Sequence, residues 1–221
     1  MTDGSQAQVD LVVRTIAQTA VDNERYFSDL DAVVGDGDFG YSLARGFEKV
    51  LEGWDDFDRS TPSTFLKKVG MVVTSRIGGT SGPIWGTAFM RAGVAAGDSE
   101  HLDGATLVTM LRAATDGIKA RGKSDVGDKT LLDALVPMTD RIEQELQAGA
   151  DPAAVLAAAA ETAGTAAEAT VDMVARRGRA SYTGERSKGS VDAGAKAVAV
   201  IVEQINQAWA NGGPAERGAQ G

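Results

Sequence analysis

Three carboxylates and three glycines fall within ten residues of this chain, in the run Asp31-Ala32-Val33-Val34-Gly35-Asp36-Gly37-Asp38-Phe39-Gly40. A helical apolar period starts where the run ends, with Phe39, Leu43, Phe47, Val50 and Trp54 as its stripe. Hard cations such as Mg²⁺ take oxygen ligands and are commonly shared between one or two carboxylates and a substrate phosphate. Glycines let backbone N–H groups come close to a phosphate, and a helix N-terminus adds free donors and a favourable dipole. Carboxylates, glycines and a helix start together fit a Mg–nucleotide site. An Asp/Gly-rich surface turn has the same composition, and the run alone does not separate the two readings.

The elements that must hold this run are helical. Alanine is abundant, aromatic residues make up 5% of the chain, and no segment alternates as a strand would. Eight helical segments are expected: about Ser5–Ser28, Gly40–Trp54, Pro62–Arg76, one continuing to about Ala96, Ala105–Gly122, one starting at Thr130 with Asp133 three residues on, one after Asp151, and about Val191–Trp209. Asp151 as N-cap, Pro152 in the first turn and Gly178 past the end punctuate the seventh. Pro137 should kink the sixth or mark a break in it. Four polar, glycine-bearing connections follow, at 31–40, 77–83, 122–130 and 178–194. Loops of this kind on a helical scaffold are the natural place for a site. One all-α domain over 1–210 is expected, with a disordered tail at 211–221.

Bulk properties narrow the function. The chain has 221 residues, 43% apolar and 24% charged, with a net charge of −9. An acidic surface argues against nucleic acid or an anionic membrane as the partner. With no cysteine, disulfide, zinc-thiolate and thiol chemistry are excluded. No basic start, signal core or membrane-length apolar run is present, so the cytoplasm is expected. The one histidine, His101, reads as a solvated surface side chain, and no catalytic nucleophile–base pair is expected. Phosphoryl transfer remains open, because it rests mainly on positioning and charge neutralisation.

Four blocks occur in order: Leu30-Asp31 with Gly35-Asp36-Gly37-Asp38; Gly78-Gly79-Thr80-Ser81-Gly82-Pro83 with Gly86-Thr87; Gly127-Asp128-Lys129-Thr130 with Asp133-Ala134-Leu135; and Gly178-Arg179-Ala180-Ser181-Tyr182 with Gly184-Glu185-Arg186-Ser187 and Asp192. In these the chain resembles the nucleotide-binding L subunits of dihydroxyacetone kinases, the DhaL family, from about Ser5 to Trp209. The resemblance implies eight antiparallel helices closed into an α-barrel, with ADP or ATP and two Mg²⁺ held by loops at one end. It implies a separate K subunit that holds dihydroxyacetone covalently. In some systems a phosphotransferase-system protein recharges the ADP from phosphoenolpyruvate; in others ATP exchanges.

On this resemblance Asp31, Asp36 and Asp38 hold the metal. Phe39, Gly40, Tyr41 and Ser42, Thr80 and Ser81, Gly127 and Thr130, Arg179, and Asp192, Ala193 and Gly194 contact the nucleotide. Two positions depart from the family's habit: it usually has histidine where Phe39 stands and proline where Ala193 stands. Phe39 fits the apolar stripe of its helix equally well, and Lys129 reads as a surface charge. Trp54, Trp85 and Trp209 read as core. Two other readings stand beside the first: the L subunit of a related short-sugar kinase, such as an erythrulose kinase, and a nucleotide-sensing adaptor that binds a regulator and catalyses nothing.

Overall fold

The computed structural model describes residues 4–97 and 101–212. Among these there are nine α-helices, three 3₁₀ segments and no strand. The helices are α1 (Gly4–Asp22), α2 (Glu24–Asp31), α3 (Phe39–Glu52), α4 (Pro62–Arg76), α5 (Ser81–Ala96), α6 (Gly104–Gly122), α7 (Leu132–Gln147), α8 (Pro152–Ala169) and α9 (Ala193–Ala210). The expected tail lies, from residue 213 on, outside the described residues, while Asn211 and Gly212 form a turn. No described helix is long and apolar enough to cross a membrane.

Several helix starts are fixed by side-chain caps. Thr61 accepts from the Thr64 N–H at 3.1 Å, Asp103 from Thr106 at 2.7 Å, Asp151 from Ala154 at 2.9 Å and Asp192 from Ala195 at 2.7 Å. Each such bond satisfies one of the four donors that a helix start leaves open. Pro62 and Pro152 follow two of these caps, where a missing N–H costs nothing.

Three expectations change. The first helical segment is split in two at Asn23, whose side-chain amide donates back to the Thr19 carbonyl at 2.9 Å. Of the two effects expected of Pro137 the break is absent, since α7 runs through it. Gly178 does not mark the end of α8. That helix stops at Ala169, where the Thr170 hydroxyl turns back onto the Ala167 carbonyl at 2.6 Å. A 3₁₀ turn, Thr170–Asp172, follows, and then non-helical chain leads to Gly178 at φ +67°. The connection to α9 is therefore longer than expected. It contains a second 3₁₀ stretch, Arg179–Ser187.

Each long helix packs against the next: α3 on α4, α4 on α5, and so on to α8 on α9. α1 lies against both α3 and α9, and α2 against α3 and α9. The core holds Phe27, Leu43, Phe47, Val50, Phe65, Val69 and Val73 fully buried. Phe47 meets Trp85 and Phe89 edge to face, and Trp54 meets Phe65 in the same way, a favourable alignment of ring quadrupoles. Trp54 and Trp85 are buried as expected, but Trp209 near the end of α9 is only half-buried.

The α4–α5 seam is closed by glycine. A methyl on Gly86 would sit 1.8 Å from Thr74 Oγ1 and 2.8 Å from the Gly70 carbonyl; one on Gly82 would sit 2.3 Å from the Ile77 carbonyl. At the other end of α3, Arg59 donates to Asp10 at 3.1 Å and to the Trp54 and Phe57 carbonyls at 2.7 and 3.0 Å. Its guanidinium also stacks over Trp54 and Phe65, which ties the 53–61 connection to α1.

Candidate functional site

The run from Asp31 to Phe39 connects α2 to α3, two helices that nearly touch. Gly40 makes this possible, because any Cβ there would overlap the Glu24 carbonyl of α2 at 2.0 Å. The loop closes on Asp31, the last residue of α2. One oxygen of its carboxylate accepts from the Gly37 N–H at 2.9 Å and the Phe39 N–H at 3.4 Å. Gly37 has φ +75°, a conformation glycine adopts without strain. The result is a cluster: carboxylate oxygens of Asp31, Asp36 and Asp38 lie within 4.8 Å of one another. Asp36 and Asp38 are exposed and Asp31 is half-buried.

Three like charges this close oppose one another. Desolvation raises the Asp38 carboxyl above its ordinary value, and Asp36 and Asp31 add to the rise, while Arg179 opposes it. Arg179 comes from the 3₁₀ stretch nearly 150 residues on, and its guanidinium meets Asp36 at 2.8 Å and Asp38 at 4.0 Å. The sequence-expected metal residues and the expected arginine thus meet in space. Opposite oxygens around a Mg²⁺ ion lie about 4 Å apart, so the cluster is of the right size and charge for a hard cation.

The second glycine-rich turn is beside this loop. A methyl on Gly78 would reach Ser42 Oγ at 3.4 Å, which puts Ser42 of α3 next to the turn that leads to Thr80 and Ser81. Thr80 precedes α5 without capping it through its side chain, and Ser81 opens the helix. The first turn of α3 offers less. The Tyr41 N–H already donates to Ser28 Oγ at 3.1 Å, and the Ser42 N–H to the Asp38 carbonyl at 2.9 Å. The Phe39 ring packs against Phe27, with centroids 6.2 Å apart, and joins the core. Of its two expected places, the ring takes the apolar one.

Gly127 and Thr130 are drawn together by Asp133, whose carboxylate accepts from both N–H groups, at 2.7 Å for Thr130. α7 therefore starts at Leu132, with Asp133 in its first turn closing the loop before it. Asp192, Ala193 and Gly194 begin α9 alongside: a methyl on Gly194 would meet the Leu131 side chain at 3.3 Å. Burial pushes the Asp192 carboxyl up to about 7, with Asp133 adding to the rise; Lys129 and the Ala195 N–H work against it.

Lys129 is the residue that sequence reasoning placed wrongly. It is 2% exposed, and its ammonium donates to the carbonyls of Met173, Ser187 and Ser190. Its backbone is left-handed, at φ 60°, which is uncommon for a side-chain-bearing residue. Burial holds the ammonium below its usual range, against the carboxylates of Asp192 and Asp172. A polar loop sequence gives no sign that a lysine in it turns inward. His101 is exposed and lies shortly before α6.

Contacts chain these loops together. The Arg176 N–H donates to the Asp128 carbonyl at 3.0 Å, Arg177 faces Asp128 at 3.6 Å, and Arg179 reaches Asp36. The 122–131 and 31–40 connections thus both border the 173–190 segment.

Residues 33–207 match the DAK2 domain. The chain is 39% identical over 180 residues to the PEP-dependent dihydroxyacetone kinase, ADP-binding subunit DhaL, of Escherichia coli (strain K12), covering 81% of this chain and 86% of that protein. It is 36% identical over 198 residues to the L-erythrulose 1-kinase of Mycolicibacterium smegmatis, covering 89% of this chain and 34% of that one. The solved dihydroxyacetone kinase of C. freundii superposes with a TM-score of 0.72 at 25% identity over 90% of this chain and 34% of its own. With AMP-PNP and Mg²⁺ bound, that kinase superposes with a TM-score of 0.69. The chain spans most of the E. coli subunit and about a third of the two larger kinases. A helical fold, a carboxylate cluster on its α2–α3 loop and a domain match over most of its length agree: the chain belongs to the DAK2 domain family, to which the ADP-binding DhaL subunits are its relatives.

Proposed function

We propose that this chain is the nucleotide-binding, phosphoryl-donor subunit of a dihydroxyacetone kinase. The observation that carries the reading is the convergence of Asp31, Asp36 and Asp38 within 4.8 Å, with Arg179 on Asp36, in a chain 39% identical to an ADP-binding subunit. Two Mg²⁺ ions held by the three carboxylates would neutralise phosphate charge during transfer. Arg179 would orient a phosphate through its planar fork. Ser42, Thr80 and Ser81 offer hydroxyls and helix-start donors on the adjoining turn. Gly127, Thr130 and the start of α9 at Asp192, Ala193 and Gly194 would bound the nucleoside. Tyr41 and Gly40 shape the α2 contact, and Phe39 supports Asp31 from the core. We assign no general base among the described residues of this site, so in this reading the acceptor would be activated on the partner.

A K-type subunit carrying dihydroxyacetone supplies that acceptor. The E. coli relative is named as PEP-dependent, which supports recharging of bound ADP by a phosphotransferase-system protein. The neighbour-on-neighbour packing, with α1 against α9, supports a single barrel-like helical domain over 1–210. One observation favours a second acceptor: identity to an L-erythrulose 1-kinase reaches 36%. In this reading the partner holds the carbonyl of the sugar in either case, and the partner decides between them.

The test is isothermal titration of nucleotide-stripped protein with ADP, with and without Mg²⁺, beside Asp36→Ala. Binding that needs both the metal and Asp36 supports the reading. Binding by neither form, or binding that ignores the metal, rejects it.

A further inference from the structure

The loop that delivers Arg179 has little apolar anchorage of its own. Between Met173 and Ser190, only Ala175 and Ser187 are buried. Its two stems are held by polar bonds. The Ala175 N–H donates to Ser187 Oγ at 2.8 Å, the Gly189 N–H to the Val171 carbonyl at 2.9 Å, and the Asp192 N–H to Thr170 Oγ1 at 2.8 Å. Lys129 stands between the stems. Its ammonium takes one carbonyl from the incoming stem, Met173, and two from the outgoing stem, Ser187 and Ser190. An ammonium has three protons, and all three are used. We infer that Lys129 is a positioning residue: its ammonium clasps the two stems of the 173–190 loop and thereby places Arg179 over the Asp36–Asp38 carboxylates, where nucleotide phosphate is bound.

Two features set this apart from an ordinary buried ion. Lys129 adopts a left-handed backbone although it carries a side chain, and such outliers persist where the surroundings over-determine them. Its partners are backbone carbonyls, so the clasp depends on loop path and not on loop side chains. A planar guanidinium cannot reproduce a tripod of donors, so arginine should not substitute. The inference rests on the nucleotide reading above and adds a residue to it.

The experiment is a double-mutant cycle on Mg–ADP affinity using K129M, R179A and the pair, with K129R beside them. Nucleotide-free Mn²⁺ binding and tryptic cleavage after Arg176, Arg177 and Arg179 are measured on each protein. Loss of a charge-assisted phosphate contact weakens binding roughly ten- to hundredfold. R179A should show that loss in the unmutated background and about threefold or less on top of K129M. K129M alone should lose about as much as R179A, should bind Mn²⁺ no more weakly than the unmutated protein, and should be cleaved at the loop at least about tenfold faster. K129R should behave like K129M. A purely structural lysine would weaken metal and nucleotide together and leave the cycle additive, which overturns the proposal. So does unaltered Mg–ADP affinity in K129M, or failure of both Lys129 variants to fold. If the unmutated protein binds no Mg–ADP at all, the functional reading itself falls, and the proposal with it.

Discussion

Gly40→Ala is the sharpest perturbation of the carboxylate loop that touches no carboxylate. The added methyl would lie 2.0 Å from the Glu24 carbonyl oxygen, 2.5 Å from the Ser28 nitrogen and 2.7 Å from Ser28 Oγ. Two of these are backbone atoms inside α2 and cannot swing aside. Ordinary contact begins near 3.4 Å, so the first turn of α3 must move off α2 by about 1.4 Å. Overpacking of this kind costs about 1–3 kcal/mol, and rigid neighbours put Gly40 at the upper end. The Tyr41 N–H bond to Ser28 is also lost, about 1 kcal/mol more. Asp31 ends α2 and Asp38 precedes α3, so the same movement spreads the carboxylates. Mg²⁺ requires oxygens at about 2.0–2.1 Å, and displaced support of ligands costs on the order of 10–100-fold in metal affinity. Urea unfolding and Mg-dependent ADP titration measure the two effects. An unchanged unfolding midpoint with Mg²⁺ affinity within about twofold of normal would refute the reasoning from helix contact to ligand geometry.

Other perturbations read other parts of the fold. Gly164→Ala, inside α8 with nothing within 4 Å of the new methyl, should stabilise by about 0.5–1 kcal/mol in urea and leave ADP binding unchanged; a loss of stability would show a constraint at α8 that the packing does not contain. For Asp192 the folded carboxyl sits near 7 and the unfolded one near 3.8, so between those values the folded state keeps a proton that the unfolded chain releases. Stability should therefore fall as pH rises through that window, by at most on the order of 4 kcal/mol, and Asp192→Asn, which keeps a capping oxygen, should flatten the fall; equal slopes for the two proteins between about pH 5 and 8 would contradict it. Arg59→Ala leaves Asp10 and two carbonyls without their donor and should cost about 2–4 kcal/mol while leaving Mg–ADP affinity unchanged, because α3 separates it from the carboxylate loop by about 20 Å.

What the sequence made legible was what is local. Asp31, Asp36 and Asp38 fall within eight residues, so their convergence needs only one tight loop. Thr61 with Pro62 and Asp151 with Pro152 mark helix starts through bonds made within one turn, and those starts were read correctly. The end of α8 was not readable, because Thr170 ends it with a hydroxyl that also accepts from Asp192, a partner 22 residues away. Gly178 looked like a helix stop since its positive φ is the property a C-cap needs, yet here it opens a 3₁₀ stretch. Arg179 was placed by resemblance and not by spacing, for no local pattern links residue 179 to residue 36. Lys129 was missed for the opposite reason: a lysine flanked by Asp128 and Thr130 has the composition of a solvated turn, and only the tertiary path of the 173–190 loop brings three carbonyls to it.

The glycine seam between α4 and α5 bears on how variation in this family can be interpreted. Gly82 stands beside Thr80 and Ser81, yet what forbids a side chain there is the Ile77 carbonyl of its own hairpin, 2.3 Å from where a Cβ would be. Gly86 is barred in the same way by Thr74 and Gly70. If Thr80 and Ser81 contact nucleotide as proposed, selection for close helix contact and selection for ligand chemistry fall on adjacent letters of one short motif. A map of invariant positions drawn over this end of the molecule would merge the two, and would credit the ligand with residues that a metal-free, inactive descendant would still have to keep in order to fold.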